Sequence, residues 1–114
     1  MGVKDIVPYV GVEEVKNWKA LVPALVAEMI GTLLLVLIGC GSCYNDAPPV
    51  QYGLCFGITV ATIAQSIGHV SGCHINPAVT FGLFFGRKIG LIKSILYIVV
   101  QSVGGLIGAA LLKV

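Results

Sequence analysis

Residues 71–80 read SGCHINPAVT, with Asn76-Pro77-Ala78 at their centre. Asparagine is a favoured helix N-cap and proline is the residue best tolerated at the first helical position, so Asn76-Pro77 predicts a helix running toward Gly86. From Pro77 to Phe85 nearly every residue is apolar. Such a helix covers roughly 14 Å, about half of a ~30 Å hydrocarbon core, and is too short to cross it. A short apolar helix entered through a polar stretch is expected to be re-entrant. Its irregular backbone is tolerated at depth only where it lines a cavity or is buried in protein.

The rest of the chain fits a bilayer. Its 114 residues are 57% hydrophobic and 11% charged, with a mean hydropathy of +0.98, whereas soluble domains are about 25% charged. The net charge of +2 is small, and no stripe of Lys and Arg is dense enough to replace phosphate counterions, so nucleic acid is set aside. Four cysteines are present, and Cys40 and Cys43 form a C-x-x-C. With no second Cys or His pair at zinc-ligand spacing they read as small hydrophobes rather than metal ligands, and neither metal nor cofactor is expected. A Cys43–Cys55 disulfide is compatible with the sequence and not required by it. No nucleophile and base stand at related positions outside the apolar runs and no cofactor loop is present, which argues against an enzyme.

Residues 1–19 mix charge with Gly2, Pro8 and Gly11 and read as a polar tail at the membrane surface, with Trp18, Lys16 and Lys19 suited to an interface. Charges this close to the start also argue against a cleavable signal. Three spans are expected at 20–44, 51–70 and 91–112, around a re-entrant loop and half-helix at 71–86. Glu28 must lie inside the first span, because starting at Met29 leaves fewer than the ~17 residues a crossing needs. An acid in hydrocarbon costs about 2.5–3.5 kcal/mol on insertion scales, so it is expected to turn inward toward a partner or a wet cavity. The turn from Asn45 to Val50, with Pro48-Pro49, breaks the helix and carries no basic residue. The second span holds Gly53 and Gly57 at GxxxG spacing and a stripe of Phe56, Val60, Ala64 and Ile67; the third holds Gly104 and Gly108 as another GxxxG, a face smooth enough for a tightly packed neighbour, which the sequence leaves open between a partner within the chain and one missing from it. Lys4, Lys16, Lys19, Arg87, Lys88 and Lys93 fall on one side, and the positive-inside rule puts that side, with the N-terminus and the Asn76 loop, in the cytoplasm.

The sequence resembles the N-terminal half of the aquaporins, the major intrinsic protein family of water and small-solute channels. The likeness runs through Ala27-Glu28, Gly31-Thr32, Gly39-Cys40-Gly41-Ser42, Ala64-Gln65-Ser66-Ile67-Gly68-His69, SGCHINPAVT and Gln101-Ser102-Val103-Gly104. It implies an all-α membrane protein with three transmembrane helices plus one re-entrant half-helix, one repeat of the inverted-repeat aquaporin fold. It further implies that Asn76, Pro77 and Ala78 meet a counterpart at the midplane. The carbonyls of Gly72, Cys73, His74 and Ile75 would form a ladder of acceptors for single-file water. Phe56 would set the width, with Val60 on the same stripe, while Glu28 and Gln101 brace the loop. For Glu28 the partner is left open between His74 and the loop backbone.

What the resemblance implies is a passive water channel, in lipid, in the plasma membrane, and a homotetramer when complete. A glycerol or small-solute channel shares most of these motifs. With three spans where the family has six and one Asn-Pro-Ala, the chain is expected not to conduct alone. Fragment, truncated product and partial gene model all stay open. A second class is a short membrane protein that pairs with or regulates full-length channels. A third, a proton-coupled transporter, would rest on Glu28 and the two histidines.

Overall fold

The computed structural model describes residues 8–44 and 46–113. Residues 1–7 of the expected tail, with Lys4, and Asn45 of the expected turn lie outside the described residues. Among the described residues the α-helices follow one another as α1 (Val12–Lys16), α2 (Trp18–Leu34), α3 (Pro49–Ser71), α4 (Pro77–Phe85) and α5 (Leu91–Leu112), after a helical stretch at residues 8–10. Among the described residues three helical segments are long and apolar enough to cross a membrane: Trp18–Cys40, in which α2 continues through a wider π-helical turn over Leu35–Cys40, Pro49–Ser71 and Leu91–Leu112. The all-helical fold with three apolar spans expected from the sequence is present.

The most extensive packing is α2 against α5, and glycine permits it. A Cβ on Gly104 would collide with the Met29 carbonyl, and one on Gly108 would lie 2.6 Å from the Leu33 oxygen. The small-residue face of α5 therefore meets α2 of the same chain, which identifies the neighbour that the sequence left open. A Cβ on Gly53 or Gly57 of α3 would have nothing within 4 Å.

Starts and stops follow local chemistry. Pro49 opens α3 at a position whose N–H would be unbonded in any case, and Gly72, with φ +87°, closes it while its N–H donates to the Gly68 carbonyl. At the end of α4, the Lys88 N–H donates to the Leu83 carbonyl and the Arg87 N–H to the Phe84 carbonyl, the paired bonds of a Schellman stop. The left-handed residue of that motif, usually glycine, is here Arg87 with φ +58°, at a cost of roughly 1 kcal/mol. Buried Ala24, Ile89 and Tyr97, with Leu25, Leu83 and Phe84 packed on them, bind α4 to α2 and α5. The preceding segment lies against the same corner: Gly11 and Gly90 touch backbone to backbone, and Gly90 N–H donates to Glu14 Oε1 at 3.0 Å. All four cysteines, including Cys43 and Cys55, are free thiols.

Candidate functional site: a loop held at mid-span

Glu28 lies ten residues beyond the start of α2, and Gln101 ten residues beyond the start of α5. Both side chains are therefore about 15 Å into their helices, near the middle of a hydrocarbon core. Each is completely buried. The loop between α3 and α4 reaches that depth and bonds to both.

The Glu28 carboxylate organises it. Oε1 accepts from the Ser71 hydroxyl at 2.6 Å and from the His74 N–H at 2.8 Å. Oε2 accepts from the Ile75 N–H at 2.6 Å and from Gln101 Nε2 at 2.8 Å. The sequence left the partner open between His74 and the loop backbone; two of the four bonds come from backbone N–H groups, and the His74 imidazole contributes none. A carboxylate with four donors has exchanged its water shell for fixed dipoles, which is what makes an acid tolerable at this depth. Among the described residues no buried side-chain nitrogen or oxygen lacks a partner.

A second tier supports the first. Gln101 Nε2 also donates to Thr80 Oγ1 at 2.9 Å, and Thr80 Oγ1 lies 3.0 Å from His74 Nδ1. Tyr97 hydroxyl donates to the Ser71 carbonyl at 2.8 Å, and the Cys73 N–H donates to Ser71 Oγ at 3.0 Å. Ser71, Thr80 and Tyr97 were not singled out from the sequence, where a Ser or Thr at a helix end and a Tyr in an apolar run carry no distinguishing mark.

These bonds hold a backbone that would not hold itself. Gly72, Cys73 and Ile75 all have positive φ, at +87°, +51° and +42°. For a β-branched residue such as Ile75 that is a true outlier, of order 1–3 kcal/mol. Its side chain is 4% exposed, and a Cβ on Gly31 would lie 2.7 Å from Ile75 Cγ2. Gly31 thus opens the slot that Ile75 fills, and Glu28 fixes the N–H beside it.

Beyond the strained loop, Asn76 returns to extended backbone with φ −157°, and its Oδ1 accepts from the Ala78 N–H at 2.8 Å. That cap occupies the oxygen of the amide; the side chain is exposed, with its NH₂ left to donate elsewhere. Pro77 takes the first helical position of α4. The partial positive charge of the α4 N-terminus therefore sits at mid-span beside an amide donor. Gly72 and Ala78 are exposed and Cys73 and His74 are half-buried.

Phe56 is farther along α3. Its half-buried ring lies on Gly39 of the π-helical turn, where a Cβ would overlap it. Val60, one turn on, is exposed, whereas Thr59 and Ile63 face inward. Among the described residues no three His, Cys, Asp or Glu side chains gather to hold a metal.

A half-helix hung at mid-depth from a buried acid, among three apolar spans, is a distinctive design, and comparison with known proteins places the chain in a family. A family model described as Major intrinsic protein matches residues 13–114. Aquaporin-4 of Mus musculus is 42% identical over 115 residues, covering 94% of this chain and 34% of its own length. Aquaporin-1 of Homo sapiens is 40% identical over 101 residues, covering 79% and 38%. Lens fiber major intrinsic protein of Ovis aries is 42% identical over 93 residues, covering 78% and 35%. The chain belongs to the major intrinsic protein family and is an integral membrane protein. It spans about a third of the length of the curated relatives it matches.

Proposed function

We propose that this chain forms one half of a passive transmembrane water pore, with the loop of residues 72–76 lining it. The observation that carries the reading is the four-donor cage around Glu28, which spends a buried acid and three left-handed residues on presenting one short loop at mid-span. In this reading the carbonyls of Gly72, Cys73, His74 and Ile75 accept hydrogen bonds from successive waters. Asn76 donates to a water oxygen at the tip of α4, beside Pro77 and Ala78. The dipole of α4 repels cations at the same point and orients the file. Phe56 sets the width and Val60 continues that wall.

A facing half-helix from a second repeat completes the pore, and the finished channel is a homotetramer in the plasma membrane. The five described basic residues at the Asn76-loop end, Lys16, Lys19, Arg87, Lys88 and Lys93, support a cytoplasmic position for the N-terminus and the loop. Passive conduction, through hydrogen bonds exchanged one water at a time, requires no chemical step and no cofactor.

Solute choice is the experiment that tests the assignment. In a chimera in which this chain replaces the matching stretch of human Aquaporin-1, vesicles should pass water and exclude glycerol, and Phe56→Ala should admit glycerol. Glycerol passing as readily as water in the unsubstituted chimera would favour a small-solute channel instead. Unchanged uptake in a Phe56→Ala protein that inserts normally would remove Phe56 from the constriction.

A further inference from the structure

At the end of the molecule where α4 meets α5, a cavity of about 290 Å³ is lined by Pro8, Tyr9, Glu14, Arg87, Lys88 and Ile89. We propose that it is a phosphate-binding site, taking a phosphorylated lipid headgroup or the same group free in solution.

Three observations support this. First, Arg87 occupies the left-handed position of the α4 stop, where glycine costs least. A cation at a strained position points to a use for it there. Second, the Arg87 guanidinium lies over the Tyr9 ring, its carbon 5.0 Å from the ring centre. That cation–π contact holds the head group at the cavity and uses none of its N–H donors, which stay able to meet the oxygens of a phosphate, with Lys88 beside it as a point charge. Among the described residues neither side chain has a hydrogen-bonded or ion-paired partner; the ion pair present joins Lys16 to Glu13. Third, the one acid among the described residues of the cavity wall is engaged, because Glu14 Oε1 accepts from the Gly90 N–H. Among these residues two cations face one carboxylate, and the balance favours an anion. The cavity lies at the start of α5, the end of an apolar segment long enough to cross a membrane, and a basic pocket at the end of a span is suited to an anionic headgroup.

The test uses the 114-residue chain in neutral detergent, titrated separately with phosphatidylinositol phosphate, phosphatidylcholine and inorganic phosphate, with binding read by native mass spectrometry. Phosphatidylinositol phosphate should bind in preference to phosphatidylcholine. Arg87→Gly should weaken that binding by about tenfold or more, the loss expected for charge-assisted hydrogen bonds. Because glycine suits the left-handed position, this variant should unfold at the same temperature as the parent or higher, which separates lost binding from lost fold. Lys88→Gln should weaken binding less. A Lys16→Gln/Lys19→Gln double variant removes charge from the same membrane face and should bind as the parent does. Lipid binding that inorganic phosphate does not compete with assigns the site to the membrane, and binding of inorganic phosphate alone assigns it to a soluble anion. The proposal is overturned if no phosphate-bearing probe binds, if Arg87→Gly binds as well as the parent, or if the double variant loses as much as Arg87→Gly.

Discussion

Gln101 and Glu28 are joined across the α2–α5 interface by a 2.8 Å hydrogen bond between fully buried side chains, and the same Gln101 nitrogen reaches Thr80 on the half-helix. One amide thus links both spans to α4, and the carboxylate it meets carries the loop. Most of the following expectations concern that linkage.

Replacing Glu28 should hurt in proportion to the donors left without an acceptor. Glu28→Leu strands four of them at about 1–3 kcal/mol each if they find no new partner, which is enough to abolish the fold. Glu28→Gln keeps one oxygen but presents an NH₂ to groups that are themselves donors, so it should lose about 1–3 kcal/mol and remain foldable. Thermal unfolding in detergent should rank parent, Gln and Leu in that order. Equal damage from Gln and Leu would mean that charge, not hydrogen bonding, holds the loop.

The contacts of two glycines predict opposite outcomes for one substitution. Gly104→Ala forces a methyl group into the Met29 backbone and should cost about 1–3 kcal/mol by overpacking. Gly57→Ala adds a methyl group where nothing lies within 4 Å, and should be neutral or stabilising by up to about 1 kcal/mol through helix propensity. Unfolding midpoints of the two variants side by side check this.

Tyr97→Phe removes the bond from the phenol to the Ser71 carbonyl while keeping the ring. It should cost about 1 kcal/mol and leave the helices in place, with the change visible as faster amide exchange in residues 71–75. Exchange unchanged in that loop would show that the phenol is not what holds the end of α3.

The parts legible in the sequence were those where local preference and global fold agree. Asn76-Pro77 marked the start of α4, and three apolar runs marked the spans. Glu28 stood out because an acid in an apolar run demands compensation. What was hidden depended on partners distant in sequence. GxxxG at Gly104 and Gly108 announces a close approach without saying to what, and the answer, α2 of the same chain, follows from the packing of Met29 and Leu33. Ile75 at positive φ runs against the preference of a β-branched residue, and only Gly31 and Glu28 explain it. The π-helical turn at Leu35–Cys40 has no residue that marks it in advance. The contact between Gly11 and Gly90 could not be read from a segment with no apolar periodicity.

The central claim is that a loop suspended from Glu28 becomes half of a water pore. Stopped-flow shrinkage of vesicles tests it most directly, comparing the 114-residue chain alone, the chimera with human Aquaporin-1, and the chimera carrying Glu28→Gln. The chain alone should shrink no faster than empty vesicles, because one half-helix leaves its pore face without an opposing wall. The chimera should pass water with a low activation energy, and Glu28→Gln should reduce that permeability per inserted molecule. Rapid low-activation-energy flow through the chain alone, or a correctly inserted chimera that passes no water, would contradict the account.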